Sequence, residues 1–171
     1  MRVIGIDVGV TGAVGVVWDG GAEVYDLPSF ALGAQSGGRR RELNPVGVHA
    51  VLKRVSGEED GDSLVVFIEG VNARTLGRMA AFSLGQSFGM VSGILSCLRL
   101  SRRVVAPAVW KKEMRVGKDK EACRKMAIQM FPFLGDSLAR VKDHNRAESL
   151  LIAAYGYRQL QGRVPLMSDH G

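Results

Sequence analysis

The sequence predicts a mixed α/β fold: a five-stranded sheet in which an antiparallel three-strand meander joins parallel strands, with helices on both faces. Three observations predict it. Within the first 25 residues, three β-rich runs are separated by turn signals, first Gly9, Thr11 and Gly12, then Asp19-Gly20-Gly21. The later run 64–68 is continuously apolar, as expected of a strand buried on both faces. Segments with apolar residues at helical spacing alternate with and follow the later strands, giving the order βββ-α-β-α-β-α-α-α.

The first strand spans residues 2–8 and carries an acidic residue, Asp7, near its end; the second spans 13–18 and the third 22–25. Residues 26–43 read as a mobile basic loop, because Ser36-Gly37-Gly38 runs into Arg39-Arg40-Arg41. Asn44 is an N-cap followed by Pro45 at the first helical position, and Val48, Val51, Leu52 and Val55 recur at helical spacing. Residues 57–62 form an acidic surface loop before the buried strand, which ends at Glu69. A long helix covers 78–100, with Gly85, Gly89 and Gly93 four apart on one stripe. Each glycine costs roughly 1 kcal/mol against alanine in a soluble helix, so close packing on the sheet or on a partner helix is expected there. Residues 104–106 form a short strand, and Pro107 opens a helix to about Met114. A basic turn at 117–120 leads to a helix at 121–131, stopped by Pro132. The last helix, 147–160, buries Leu150, Leu151, Ala154 and Tyr155. One domain over residues 1–160 and a flexible tail over 161–171 are expected.

Composition narrows the function classes. With 46% hydrophobic and 23% charged residues among 171, the composition is that of an ordinary globular chain rather than a disordered one, and one domain with a real core is expected. Lys and Arg number 23 against 17 Asp and Glu, a net charge of +6 that favours a polyanionic partner such as nucleic acid. The two cysteines, Cys97 and Cys123, make neither a zinc pattern nor a disulfide framework, and read as buried thiols of a reducing cytosol. No run reaches the ~20 apolar residues of a membrane span, and no membrane partner is expected. Residues 1–18 read as mature structure rather than a signal peptide, because Asp7 interrupts them. The expected location is cytoplasmic.

The candidate chemistry lies in carboxylates. Asp7 and Glu69 end neighbouring strands, at the sheet edge where open α/β sheets bind ligands. Lys142-Asp143-His144-Asn145-Arg146-Ala147-Glu148 leads into the last helix. Asn145 and Glu148 fit a capping box there, and Asp143 is an alternative N-cap. Alternatively, one or two of these carboxylates point toward Asp7 and Glu69. Clustered carboxylates repel unless cations neutralise them, and hard oxygen donors favour Mg²⁺ or Mn²⁺ over Zn²⁺. Two such ions about 4 Å apart would suit phosphodiester hydrolysis. Trp110-Lys111-Lys112 and Gly117-Lys118-Asp119-Lys120 read as a solvated basic face, or as contacts to phosphate; Lys120 lies near a helix start. Arg74 and Arg78 follow Glu69, where they could meet a nucleic-acid backbone.

Assembled, these residues resemble the RuvC family of Holliday junction endonucleases, within the RNase H-like superfamily, over residues 1 to about 157, and its phage-type branch in particular. The matching pieces are Gly5-Ile6-Asp7-Val8-Gly9, Phe67-Ile68-Glu69, Gly85-Gln86-Ser87-Phe88-Gly89, Ala106-Pro107 with Trp110-Lys111, Gly117-Lys118-Asp119-Lys120, and Asp143-His144-Asn145-Arg146-Ala147-Glu148. The resemblance implies an RNase H-like nuclease domain. It implies a Mg²⁺-dependent endonuclease that resolves Holliday junctions and other branched DNA with two metal ions per site, as a homodimer, in a bacterial cell or phage-infected host. Asp7, Glu69, Glu148 and Asp143 would be the metal ligands and catalytic carboxylates, and Lys120 the catalytic lysine at the scissile phosphate. Lys111, Lys112, Lys118, Arg74, Arg78, Arg39, Arg40 and Arg41 would bind DNA.

Two departures stand out. Bacterial members carry two acids, or a His and an acid, three residues apart on the last helix, whereas here Asn145 stands three before Glu148, His144 four and Asp143 five. The fourth ligand therefore stays open among Asp143, His144 and Asn145. The aromatic residue that bacterial members place shortly after the strand-end Glu is missing from Gly70-Val71-Asn72-Ala73-Arg74. Asp7 to Gly12 also looks like the first phosphate loop of actin-like and sugar-kinase-like ATPases, but 171 residues leave no room for their second domain. A general RNase H-like nuclease and a non-catalytic DNA-binding protein of the same fold are the other readings.

Overall fold

At the centre of the sheet lies β1 (Arg2–Asp7), whose Val3, Ile4 and Ile6 are fully buried. The structure is a computed structural model and describes residues 1–32, 41–57, 64–71, 76–117 and 119–162. Arg39, Arg40, Arg74, Lys118, the Ser36-Gly37-Gly38 stretch, most of the acidic loop and the tail beyond Gly162 lie outside the described residues.

On one side β1 pairs antiparallel with β2 (Ala13–Trp18), which pairs antiparallel with β3 (Gly21–Asp26). After them come β4 (Ser29–Ala31), β5 (Arg41–Leu43) and α1 (Pro45–Ser56). On its other side β1 pairs in parallel with β6 (Leu64–Glu69), which follows α1 in the chain. Beyond α2 (Arg78–Cys97), β7 (Arg102–Val105) adds in parallel to β6, so the sheet order is β3-β2-β1-β6-β7. The predicted fold class is therefore the observed one. In β7 the two leading arginines belong to the strand, because an edge strand needs few buried side chains.

Alternation along the strands sends side chains to two cores. Ile4, Ile6, Val14, Val16, Val66 and Ile68 face α1 and α2. Val3, Val17 and Phe67 face the other side, against α3 (Pro107–Glu113), α4 (Lys120–Met130) and α5 (His144–Gln161). Two 3₁₀ turns, Pro132–Leu138 and Val141–Asp143, join α4 to α5. An unbroken run of ten residues in α5, from Ala147 to Gly156, is buried. That helix rests directly on the sheet. A Cβ placed on Gly5 would lie 2.3 Å from the backbone of Ser149 and Ala153, and one on Gly15 would lie 2.6 Å from Leu150 N. Only glycine permits this approach at either position.

Four expectations need correction. Residues 26–43 are not all loop: β4 and β5 form a two-stranded ribbon, anchored by buried Leu27 and Leu43 and by Arg41 donating to Ser29 Oγ and O. Cys97 is exposed while Cys123 is buried, because Cys97 falls on the outer face of α2; both thiols are free. By length and composition α2 is apolar enough to cross a membrane, since its glycines and alanines leave it only one charge. It packs Val91 and Leu95 on the sheet and leaves Met79 and Phe82 in solvent. Finally, Gly85, Gly89 and Gly93 are not explained by packing against the described residues. All three are exposed, and a Cβ at any of them meets nothing within 4 Å.

Candidate metal centre

The parallel register of β1 and β6 pairs Ile6 with Ile68, so Asp7 and Glu69 emerge side by side at the same sheet edge. Close seating of α5 on Gly5 and Gly15 brings Glu148, on its first turns, to that edge as well. Each of the three offers a carboxylate oxygen, and these oxygens all lie within 4.8 Å of one another. Among the described residues, no other such acidic, His or Cys cluster is found.

Asp7 and Glu148 are buried and Glu69 is half-buried, and no side-chain hydrogen bond reaches the Asp7 carboxylate among the described residues. Burial holds its carboxyl well above the usual range, repulsion from Glu69 and Glu148 adds to that, and Lys111 and Lys120 oppose it. Glu69 is also raised, chiefly by burial, with the Trp110 hydrogen bond acting the other way. A buried carboxylate without a donor, facing two more acids, is costly unless a cation completes it. The donor set is all oxygen, which fits a hard divalent ion such as Mg²⁺ or Mn²⁺.

Two neighbours from α3 complete the cluster. Trp110 is fully buried and its indole Nε1 donates to Glu69 Oε1 at 2.8 Å. Lys111 Nζ lies 2.7 Å from Glu148 Oε1 and 5.0 Å from the Trp110 ring centroid. Burial pulls the lysine down, but the hydrogen bond and charge of Glu148 outweigh it, so Lys111 is held above its ordinary value. The Cys123 thiol reaches the same Glu148 oxygen at 3.6 Å, and burial, then the Glu148 charge, pushes it up to about 11. The sequence reading assigned Lys111 to DNA binding, used Trp110 only as part of a matching motif and took Cys123 as a buried thiol, so none of the three was placed beside the carboxylates. The signal available was position: Trp110-Lys111 sits on the short helix after β7, whose parallel neighbour β6 ends in Glu69.

Each residue that competed for a fourth ligand position is engaged elsewhere. The Asp143 carboxylate accepts from the Arg140 backbone N–H at 2.9 Å and from its guanidinium at 2.9 and 3.1 Å. It closes the 3₁₀ turn before α5, and those bonds hold it below the usual range. Asp143 is therefore not brought into the triad. His144 Nδ1–H donates to the Val141 carbonyl at 3.2 Å, leaving Nε2 to accept from Lys120 Nζ at 2.9 Å. Since a carbonyl only accepts and an ammonium only donates, the two bonds fix this tautomer. Asn145 donates to Thr11 O and Oγ1 and pins the turn after β1. The expected Asn145–Glu148 capping box does not form, because both side chains have these better partners.

Lys120 opens α4 behind the N-cap Asp119 and is close enough to Asp7 to lower its pKa. Lys112 and Arg78 are exposed. Arg41 lines an open groove with Thr11, Ser29, Arg140 and Lys142, beside the turn that follows Asp7.

A five-stranded mixed sheet in this order, flanked by helices, is the RuvC and RNase H-like fold. Among solved structures, the chain is similar to T. thermophilus RuvC in complex with a Holliday junction substrate, at TM-score 0.60 and 17% identity over 93% of this chain and 96% of that one. A second Thermus thermophilus RuvC structure matches at TM-score 0.53, with the same 17% identity and the same 93% and 96% coverage. No family model and no curated protein sequence matches the chain.

Proposed function

We propose that this protein is a structure-selective DNA endonuclease that cuts Holliday junctions and other branched DNA by metal-dependent phosphodiester hydrolysis. The observation that carries the reading is the convergence of Asp7, Glu69 and Glu148, with Asp7 buried and given no side-chain hydrogen bond by the described residues, at one edge of a RuvC-like sheet. A divalent cation held by these three carboxylates would neutralise them and supply the Lewis acid that phosphodiester hydrolysis needs. The chain's own residues do the rest. Lys111 holds Glu148 in direction through their 2.7 Å ion pair. Lys120, presented by His144, is the cation placed to meet a substrate phosphate. The net charge of +6, with Arg41, Arg78 and Lys112 on the surface, supplies backbone affinity.

The same proposal includes a homodimer. A junction has two equivalent strands to cut, and two-fold symmetry presents one site to each. The exposed glycine stripe on α2 supports this arrangement, because among the described residues nothing lies within 4 Å of a Cβ placed on any of them. Exposed Met79 and Phe82 on the same helix add apolar surface.

The test is incubation with four-way, three-way, flap, duplex and RNA–DNA substrates, with Mg²⁺ present or withheld. Paired nicks in four-way junctions, dependent on Mg²⁺ and leaving 5′-phosphate and 3′-hydroxyl ends, are expected. Equal cutting of duplex and junction would demote the protein to a general nuclease. Binding without cutting would make it a non-catalytic DNA-binding protein.

A further inference from the structure

Trp110 occupies an unusual place beside the carboxylates. Its side chain is fully buried in the core that α3, α4 and α5 form on the sheet, so the ring cannot swing. From that fixed position its edge donates to Glu69 Oε1 at 2.8 Å. Its face lies 5.0 Å from the Lys111 ammonium, which in turn holds Glu148 Oε1 at 2.7 Å. One rigid ring therefore touches the supports of two of the three carboxylates.

Glutamate has three side-chain torsions to order before it can ligate, and ordering them costs free energy. Asp7 is shorter and leaves a buried strand, so its own backbone confines it. Glu69 is half-buried and depends on a partner for direction. An N–H bond to one oxygen leaves the other oxygen free and aimed. Partners that orient a ligand in this way typically change metal affinity by about 10–100-fold.

We propose that Trp110 is a positioning residue of the metal centre: its N–H presets Glu69, and its ring face seats the Lys111–Glu148 pair. The inference rests on the metal-centre reading above and names how this chain prepares that site for a divalent ion.

The experiment measures binding of Mn²⁺ alone, by calorimetry and by the electron paramagnetic resonance of free Mn²⁺, without DNA. Three proteins are compared: wild type, Trp110→Phe, and a protein carrying benzothienylalanine at position 110, which keeps the indole's shape with sulfur in place of N–H. Roughly tenfold weaker Mn²⁺ binding is expected for both altered proteins. Melting temperature in EDTA checks the fold, and the isostere keeps the test valid should Trp110→Phe unfold. In a Trp18→Phe background, where Trp110 is the remaining tryptophan, its emission is expected to change as Mg²⁺ is added. Undiminished Mn²⁺ affinity in the isostere, with silent emission, would overturn the role of Trp110 and leave the metal centre standing. No Mn²⁺ binding by the wild type would overturn the metal centre itself.

Discussion

The ammonium of Lys111 lies 2.7 Å from Oε1 of Glu148, whereas its neighbour Lys112 is exposed. Two adjacent lysines that look alike in the sequence thus face different work. Lys111→Ala leaves Glu148 without its cation, and a loss on the order of a hundredfold in single-turnover cleavage is expected. Lys112→Ala is expected to weaken junction binding in a salt-dependent way with little change at saturating DNA. Equal effects on rate and affinity from both would make Lys111 another surface charge.

Asp7→Asn is expected to abolish cleavage while leaving junction binding largely intact, read by gel shift. It also has a sign in stability. The folded-state pKa of Asp7 is raised, so its contribution to stability is fully present below the ordinary value of 3.8 and lost as pH rises through the folded value. At neutral pH burying this carboxyl is a cost to the metal-free protein. Asp7→Asn should therefore melt higher than wild type in EDTA at neutral pH, with the gap closing toward pH 3.8. A lower melting temperature at neutral pH would contradict the burial argument.

Asp143 carries the opposite sign. Its pKa is lowered, chiefly by its hydrogen bond from Arg140, so its contribution is present above 3.8 and lost as pH falls through the folded value. Asp143→Asn is expected to lower the melting temperature at neutral pH and to leave Mn²⁺ affinity unchanged. Calorimetry showing weakened Mn²⁺ binding would return Asp143 to the ligand set.

Gly89 gives the cleanest test of the homodimer. Gly89 is exposed and a Cβ there meets nothing within 4 Å among the described residues, so Gly89→Glu should fold normally. Light scattering is expected to show wild-type dimer and mutant monomer at micromolar concentration, with paired nicking reduced to single nicks. A mutant that stays dimeric moves the interface off α2.

The sheet was legible because its strands are either strongly apolar or bracketed by glycine turns. Asp7 and Glu69 stood out as acids ending such strands. The β4–β5 ribbon was not legible: three-residue strands carry too little periodicity, and the loop arginines masked Leu27 and Leu43. Glu148 could be named from its motif, but its true partners could not. Lys111 and Cys123 lie 37 and 25 residues from it, and only the packing of α3 and α4 on α5 brings them near. The pairing of Asp143 with Arg140 was hidden for the converse reason: a carboxylate near a helix start looks the same whether it caps a turn or binds an ion.

The seating of α5 on Gly5 and Gly15 means that the gap between strand-borne and helix-borne carboxylates is measured by main chain against main chain. Here the spacer is hydrogen, the smallest atom available, and it has no variants to try. The distance between these carboxylates is thus set by a missing methyl group. A lineage could redesign nearly every surface of this protein and still hand on the same ruler.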